Sequence, residues 1–200
     1  MLPLRTTPVI LAGGEASRYG GLPKGLERVR GRRILDILVE EMMAALGTEP
    51  LLVANAPDAA TWLPGLRVVP DVRPGLGALG GILTAVVEGP APVVCVAWDM
   101  PFVSRGLVRA LADGLADADA VLPESGGRRG VEPLCAAYGR ACAPAIEAAL
   151  ARGDRRAVAF RAGVRVGMLP ADRVAAFGDP ARLFFNVNTP EDLARAEREA

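Results

Sequence analysis

The chain contains no histidine and a single lysine, Lys24, beside twenty-two arginines. The absence of histidine excludes Ser-His-Asp and Cys-His nucleophiles, and it excludes transition metals bound by imidazole. The remaining chemistry belongs to carboxylates, lysine, arginine and backbone groups, for which hard cations such as Mg²⁺ are natural partners. Because lysine carries a compact charge on a flexible stem, a lone lysine in an arginine-rich chain suggests a specific task such as reaching a phosphate.

Cysteine is also scarce, with three residues in 200 and no C-x-x-C pair. An odd set of this kind indicates reduced thiols, without a disulfide framework or a zinc site. The formal net charge is zero, which argues against non-specific binding to nucleic acid or to an anionic membrane. No apolar run is long enough to span a bilayer, and a buried-type strand near residue 8 leaves no room for a signal peptide. We therefore expect a cytoplasmic protein.

Short apolar runs alternate along the chain with helix-length amphipathic segments. Continuous apolar runs indicate buried strands, and a 3.6-residue spacing indicates helices, as in Ile34–Leu46 with Gly47 as its stop. We predict strands at 8–12, 51–54, 67–70, 93–98, 120–123, 131–138 and 165–169, and further helices at 80–87, 104–115, 142–151 and 191–199. This βαβ alternation predicts a three-layer α/β fold with a mainly parallel sheet. With 51% hydrophobic residues and no visible linker, residues 1–200 are expected to form one domain.

A glycine-rich loop follows the first predicted strand. Gly13 and Gly14 allow close backbone approach, so that successive N–H groups can hold phosphate oxygens. Arg18 and Lys24 supply two cations in the same segment. The spacing from Gly14 to Lys24 is too long for a P-loop, and a merely flexible surface loop is the alternative. The glycine pairs and the sole lysine favour a phosphate site.

Polar side chains follow three of the predicted strands. Asp99 comes directly after the run Val93–Trp98, at the edge where open α/β sheets bind ligands. A carboxylate in this place can hold Mg²⁺ on a triphosphate. Asn55 and Asp71 also follow strands, and they can accept hydrogen bonds from a purine base or from ribose hydroxyls. Helix capping is the competing interpretation for Asn55.

Residues Gly75–Gly80 match the pattern G-x-G-x-x-G. The dinucleotide-binding fingerprint needs its first glycine directly after a strand, and here residues 71–74 intervene. The match is therefore weak evidence for a dinucleotide site. Its glycines, Gly80 among them, still allow the backbone to approach a base or a ribose.

Two further polar groups lie in the second half of the chain. Asn186 and Asn188 precede the last predicted helix, and an extended backbone would project both amides to the same side. Amide oxygens suit a magnesium shell and amide NH₂ groups suit a phosphate-bearing substrate, whereas turn formation is the alternative for each residue. Arg155 and Arg156 belong to a basic cluster that either binds an anionic acceptor or is ordinary solvated surface.

Taken in order, these motifs resemble the nucleotidyltransferases that activate cofactors and sugars, and most closely the molybdenum cofactor guanylyltransferase family. The resemblance extends over nearly the whole chain through Leu11-Ala12-Gly13-Gly14-x-x-x-Arg18-x-Gly20-Gly21-x-x-Lys24, Asn55, Val69-Pro70-Asp71, Gly77-x-Leu79-x-Gly81, Asp99-Met100-Pro101-Phe102, Glu132-Pro133-Leu134, Gly153-Asp154-Arg155-Arg156 and Asn186-Val187-Asn188-Thr189-Pro190-Glu191. One departure is Ala78, which stands where the family commonly has proline and leaves that loop less rigid.

The resemblance implies the nucleotidyltransferase (Rossmann-like) α/β/α fold and a reaction. GMP would pass from GTP to molybdenum-bound molybdopterin, giving molybdopterin guanine dinucleotide and pyrophosphate, with Mg²⁺ as cofactor. The reaction needs charge neutralisation rather than a general base, because a phosphate monoester is already largely ionised. The residues implied are, for GTP, Leu11, Ala12, Gly13, Gly14, Lys24, Asn55, Asp71, Gly80 and Asp99; for Mg²⁺, Asp99; for catalysis, Lys24, Arg18 and Asp99; and for the pterin phosphate, Arg155, Arg156, Asn186 and Asn188.

Three alternatives remain open at this point. The first is a related nucleotidyltransferase, either a cytidylyltransferase for the same pterin or a sugar-phosphate enzyme, although Gly13-Gly14 favours the guanylyl family. The second is an NAD-dependent oxidoreductase built on Gly75–Gly80. The third is a non-catalytic GTP-binding maturation factor. The expected partners are GTP, molybdopterin and cofactor-insertion proteins, but neither nucleic acid nor membrane, for a monomer or weak homo-oligomer.

Overall fold

The computed structural model describes residues 5–13, 23–127 and 130–199. Within these ranges the strands are β1 (Thr7–Ala12), β2 (Arg28–Val29), β3 (Arg32–Arg33), β4 (Leu51–Ala54), β5 (Val68–Val69), β6 (Val93–Ala97), β7 (Ala120–Pro123), β8 (Cys135–Tyr138) and β9 (Val166–Leu169). The α-helices are α1 (Ile34–Leu46), α2 (Ala59–Trp62), α3 (Gly77–Glu88), α4 (Arg105–Asp113), α5 (Cys142–Ala151), α6 (Ala171–Ala175), α7 (Pro180–Leu183) and α8 (Pro190–Glu199).

A central sheet has the strand order β5-β4-β1-β6-β8-β7-β9. Strand β1 pairs in parallel with β4 and with β6, so that Ile10 lies beside Leu52 on one side and Val96 on the other. The pairs of β4 with β5 and of β7 with β9 are also parallel, whereas β8 runs antiparallel to both of its neighbours. The prediction of a mainly parallel sheet is confirmed, with β8 as the antiparallel exception.

Helices cover both faces of this sheet. Alternate side chains of β1 enter different layers: Ile10 belongs to the apolar cluster that includes α1 and α4, and Val9 belongs to the cluster that includes α3 and α5. Strands buried on both faces must be apolar at consecutive positions, which explains the continuous runs in the sequence. The three-layer α/β/α architecture is therefore confirmed.

Helix ends follow their local signals. Helix α1 ends at Gly47, whose φ of 73° is the left-handed conformation that glycine adopts without a steric penalty. At the start of α8, Thr189 Oγ1 accepts a hydrogen bond from Asp192 N at 3.1 Å, and Asp192 Oδ2 accepts one from Thr189 N at 2.9 Å. The same carboxylate oxygen also accepts from Asn188 N at 2.9 Å, so this capping box fixes the residue before the helix as well.

Most predicted elements agree with the structure to within one or two residues at each end, whereas two begin at clearly different positions. Helix α3 begins at Gly77 rather than at residue 80. The strand predicted at 131–138 is limited to Cys135–Tyr138. Pro133 has no N–H for a ladder, and the Glu132 side chain accepts a hydrogen bond from Leu134 N at 3.0 Å, so a turn replaces the first half of the strand.

The β2–β3 hairpin had no recognisable signal in the sequence. Its two turn residues, Arg30 and Gly31, have φ values of 49° and 76°. Two-residue hairpin turns with positive φ are usually marked by Asn-Gly or Asp-Gly. An arginine at the first position hides this turn, and contact with α8 supports it, because Arg30 N donates to Glu197 Oε1 at 3.0 Å.

The strand order creates one crevice at the carboxyl edge of the sheet. From β1 the chain proceeds outward through β4 to β5, and it then returns to place β6 on the other side of β1. Ligands of open α/β sheets bind where the strand order reverses in this way. The ends of β1 and β6 meet there, since Trp98 N donates to Leu11 O at 3.2 Å. In the part of the chain that the structure describes, no helix has the length and apolar character needed to cross a membrane.

Candidate active site

Lys24 lies on a short 3₁₀ helix, Lys24–Leu26, that begins directly after Pro23. Hydrogen bonds from Leu26 N to Pro23 O, at 2.9 Å, and from Glu27 N to Lys24 O, at 3.1 Å, hold this turn together. The turn rests on the ring of Trp98: a Cβ atom added to Gly25 would come within 2.9 Å of Trp98 Cδ2. Only glycine fits at this position without displacing the lysine beside it.

The ammonium group of Lys24 reaches the crevice. Its Nζ donates to Asn188 Oδ1 at 2.6 Å and lies 3.8 Å from Asp99 Oδ2. Lys24, Asp99 and Asn188, which are far apart in the sequence, therefore meet at one point. Lys24 and Asp99, predicted for the triphosphate and for its metal ion, therefore lie side by side.

The carboxylate of Asp99 is held in an unfavourable environment. Its side chain is only 16% exposed, and its Oδ1 atom is buried without a hydrogen-bond partner among the described residues. Burial raises the pKa of Asp99 above its ordinary value, and the ammonium of Lys24 offsets part of that shift. A buried carboxylate oxygen without a partner is a ready ligand for a cation, and such strained ionisable groups concentrate at functional sites.

The adjoining cleft has a volume of about 580 Å³. Its wall joins ends of strands to the start of α3, and it includes Leu11, Gly13, Val53, Asn55, Asp71, Gly75, Gly77, Ala78, Gly81, Ala97, Trp98, Asp99 and Leu134. A cleft of this size suits a small-molecule ligand. Leu11, Gly13, Asn55, Asp71 and Asp99, all predicted as nucleotide-binding residues, lie together on this wall.

Asn55 and Asp71 orient each other. Asn55 Nδ2 donates to Asp71 Oδ2 at 2.7 Å, and Asp71 N donates to Asn55 Oδ1 at 2.8 Å. The alternative role of Asn55 as a helix cap receives no support, because the N-cap of α2 is Asp58. Both side chains face the cleft as a fixed pair.

Gly80 does not line the cleft. It is buried inside α3, where an added Cβ would approach Leu76 Cβ to 2.8 Å. Its neighbour Gly81 does line the cleft, and a Cβ there would lie 3.8 Å from Leu11 Cδ2 and 3.9 Å from Asp71 Oδ1. The close backbone approach predicted at Gly80 is thus better assigned to Gly81, because helix periodicity turns residue 80 toward the preceding turn.

The predicted acceptor-side residues divide into two groups. Asn188 contacts Lys24, and Arg155 reaches the cleft rim by donating to Gly75 O at 3.1 Å. Asn186 Nδ2 instead donates to Phe184 O at 2.9 Å, as in a turn, and Arg156 pairs with Asp154 Oδ2 at 2.6 Å. The predictions for Gly14 and Arg18 lie outside the described residues.

Aromatic packing behind the site was not foreseen from the sequence. The rings of Trp62 and Trp98 stack with centroids 5.1 Å apart, below the Lys24 turn. The ring centroids of Phe102 and Phe185 are 6.2 Å apart, and Val187 N donates to Asp99 O at 2.8 Å. These contacts attach the segment that carries Asn188 to the end of β6. The available signal was the adjacency of aromatic residues to both Asp99 and Asn186.

The three cysteines, Cys95, Cys135 and Cys142, lie in the interior. All three are free and buried, and burial raises the pKa of the Cys142 thiol to about 12. Among the described residues no group of three or more cysteine, aspartate or glutamate side chains could hold a metal by itself.

The geometry agrees with three comparisons with known proteins. Residues 8–166 match the family described as the MobA-like NTP transferase domain. The chain belongs to this family. The molybdenum cofactor guanylyltransferase of Desulfosudis oleivorans is 33% identical over 194 residues, which cover 96% of this chain and 94% of that protein. The molybdenum cofactor guanylyltransferase of a Bradyrhizobium species is 36% identical over 201 residues, covering 95% and 91% of the two chains.

A solved structure shows the same fold. The crystal structure of molybdopterin-guanine dinucleotide biosynthesis protein A from Archaeoglobus fulgidus matches with a TM-score of 0.79 and 27% identity, over 97% of this chain and 98% of the other. The resemblance to the guanylyltransferase family inferred from the motifs is confirmed. In this MobA-like chain, several residues of the family motifs and the buried carboxylate of Asp99 lie together in the cleft at the ends of β1 and β6.

The seating of the Lys24 turn on Trp98 generates a first prediction. In Gly25→Ala, the added methyl group would meet the indole ring and displace the lysine, so we expect turnover to fall by roughly tenfold or more, the scale for a misplaced catalytic group. Steady-state rates measure this. The matched control is Gly126→Ala, where no atom of the described residues lies within 4 Å of the added Cβ. Equal rates for the two variants would contradict the role of Gly25.

The burial of Asp99 generates a second prediction. Because its pKa is raised in the folded state, ionisation destabilises the native protein as the pH rises through that pKa. Relative to wild type, Asp99→Asn should gain unfolding free energy as the pH is raised from about 3 to about 7, which urea unfolding measures. Asp119→Asn is the control of opposite sign, since hydrogen bonds from Arg165 lower the pKa of Asp119. The same pH trend in both variants would argue against a desolvated Asp99.

Proposed function

We propose that this chain transfers the GMP group of GTP to the phosphate of molybdenum-bound molybdopterin and releases pyrophosphate. The observation that carries the proposal is the meeting of the Lys24 ammonium and the Asp99 carboxylate in one cleft at the strand-order reversal. The family and the names of the relatives supply the substrate class.

The reaction suits a chain without histidine. The acceptor phosphate attacks the α-phosphorus of GTP, and a new P–O bond forms while the bond to pyrophosphate breaks. A phosphate monoester has a second pKa near ~6, so the nucleophile is largely ionised at neutral pH and no general base is required. The task left to the protein is to bring two anions together and to neutralise the charge that develops during transfer.

Lys24 is the cation that serves this task. An ammonium has three N–H donors, and the 2.6 Å bond to Asn188 uses one of them and sets the direction of the others. At 3.8 Å from Asp99, the ammonium remains free to contact triphosphate oxygens. Asn188 therefore positions Lys24 in addition to lying on the acceptor side.

Asp99 is the residue that would hold Mg²⁺. The buried oxygen Oδ1, which lacks a partner among the described residues, fits a hard cation that takes one protein carboxylate and completes its shell with phosphate and water. When bound, Mg²⁺ supplies neutralisation of charge on the phosphate oxygens. Without it, the carboxylate faces the triphosphate as a like charge.

The remaining roles follow the walls of the cleft. The backbone of Leu11, Ala12 and Gly13 would contact the triphosphate, and the paired side chains of Asn55 and Asp71 would contact the guanosine. The acceptor phosphate would bind through residues of the family motif, Arg155, Arg156, Asn186 and Asn188, of which Arg155 reaches Gly75 O and Asn188 contacts Lys24. Gly14 and Arg18 complete the proposed triphosphate site.

The direct test is an assay of the purified chain with molybdenum-bound molybdopterin and Mg²⁺ against GTP, CTP, UTP and ATP in turn. We expect pyrophosphate release and dinucleotide formation with GTP, and loss of both when the metal is chelated. Preferred use of CTP would change the nucleotide assignment. GTP binding without turnover would replace the enzyme by a non-catalytic binding protein.

The role of Lys24 generates a prediction of its own. Lys24→Ala should lower turnover by roughly a hundredfold or more, the scale for losing one preorganised electrostatic donor. The matched control is Arg109→Ala, which removes a positive charge from an exposed position of α4. Wild-type turnover in Lys24→Ala would contradict the proposed role.

A further inference from the structure

Thr84 is an unusual residue of α3. Its side chain has 0% exposure, and the other buried residues of this helix are glycine, alanine and aliphatic residues. Burying a hydroxyl group costs free energy unless it is hydrogen-bonded, so a polar side chain at such a position calls for a specific partner. Thr84 does not line the cleft itself.

The hydroxyl group of Thr84 connects the helix to the turn that follows β5. Its Oγ1 accepts a hydrogen bond from Val72 N at 3.0 Å and lies 3.2 Å from Asp71 Oδ1. It also lies 3.0 Å from Gly80 O, one helical turn earlier. A hydroxyl has one proton to donate, so Asp71 and the Gly80 carbonyl compete for it while the bond from Val72 stays in place.

Asp71 is thereby held at both oxygens. Asn55 donates to Oδ2 at 2.7 Å, and Thr84 stands at Oδ1. Asn55 is in turn oriented by the backbone of Asp71, at 2.8 Å. The orientation of the Asp71 carboxylate in the cleft therefore depends on two side chains, Asn55 and Thr84. Of these, Thr84 contacts the carboxylate from helix α3.

We propose that Thr84 is a positioning residue for nucleotide selection: it holds the Asp71 carboxylate so that it faces the hydrogen-bond donors of the guanosine. This inference rests on the proposed function, because it takes Asp71 to be a guanosine contact. Those donors are the N–H groups of the base and the hydroxyl groups of the ribose, which share one chemistry toward a carboxylate. Thr84 acts through Asp71 and touches no reacting atom.

The shared proton lets the network serve both the empty and the occupied site. When a ligand donor bonds to Asp71 Oδ1, the hydroxyl can give its proton entirely to Gly80 O at 3.0 Å, without movement of the helix. When the ligand leaves, the proton is available to Asp71 again. Every member of the network therefore keeps a partner in both states, which avoids the cost of a buried unpaired group.

The test compares Thr84→Val, which keeps the shape and removes the hydroxyl, with Thr84→Ser, which keeps the hydroxyl. A third variant, Thr61→Val, is the matched control, because Thr61 is an exposed residue of α2 whose hydroxyl donates to a backbone carbonyl, that of Asp58, at 2.7 Å. The readouts are kcat, KM for GTP, and the preference for GTP over ITP and over 2′-deoxy-GTP. Thermal melting of each variant reports the structural cost.

For Thr84→Val we expect KM for GTP to rise by roughly tenfold, the effect of about one hydrogen bond, with kcat within about twofold of wild type. We also expect one of the two preferences to shrink: that over ITP if Asp71 contacts the base, or that over 2′-deoxy-GTP if it contacts the ribose. Thr84→Ser should restore both KM and the preference, and Thr61→Val should leave them at wild-type values.

Lowered melting temperature with unchanged KM and unchanged preferences would overturn the inference, since it would make Thr84 a structural residue only. If Thr84→Val does not fold, Thr84→Ala against Thr84→Ser gives the same comparison. Failure of the proposed function is distinct: in that case the wild-type chain itself shows no transfer from GTP, whatever stands at residue 84.

Discussion

The site depends on a carboxylate that the fold buries without fully pairing it. At 3.8 Å, Lys24 is close enough to favour the charged form of Asp99 but too far to hydrogen-bond it. The ammonium instead bonds Asn188 at 2.6 Å. If Lys24 had closed on Asp99, the two charges would satisfy each other and neither would be available to a ligand. The Asn188 amide therefore keeps a cation and an anion side by side with both still able to bind a ligand, as the proposed binding of phosphate and metal requires.

Contacts between residues that are far apart in the sequence hold Asp99 and Asn188 in place. The bond from Val187 to the Asp99 carbonyl, at 2.8 Å, ties the C-terminal segment to the end of β6. The guanidinium groups of Arg182 and Arg195 lie over the rings of Phe102 and Phe185, 4.7 and 4.9 Å from the ring centroids, and extend the same packing. Because each contact is individually worth about 1 kcal/mol or less, the position of Asn188 is secured by their sum.

Features of the structure that follow from local sequence signals could be predicted, whereas features that depend on contacts between distant residues could not. Helix α1 and strand β4 have the predicted bounds, because apolar periodicity and a glycine stop are local signals. Asp99 was identified from its place at the end of a strand, since parallel strands bring their carboxyl ends to one edge. The need for glycine at residue 25 could not be predicted, because the side chain that excludes a larger residue there is Trp98, which is distant in the sequence. The change of the cleft contact from residue 80 to residue 81 has another cause, helix periodicity, and the contacts of Thr84 with Asp71 and Val72 were also not predicted.

The two faces of the sheet support different groups of cleft residues. Lys24 and Asn188 are supported from the side of α1 and α8, through Trp98 and Val187 in one apolar cluster. Asp71, Gly81 and Thr84 are supported from the side of α3, where Leu11 and Val53 belong to the other cluster. Strand β1 lies between them and contributes alternate residues to both. Interior packing resists deformation, so a change in one layer reaches the other mainly through β1 and the end of β6. This separation would allow the nucleoside selection proposed for the α3 side to vary by substitution while the Lys24–Asp99 pair, to which we assign the transfer, stays unchanged.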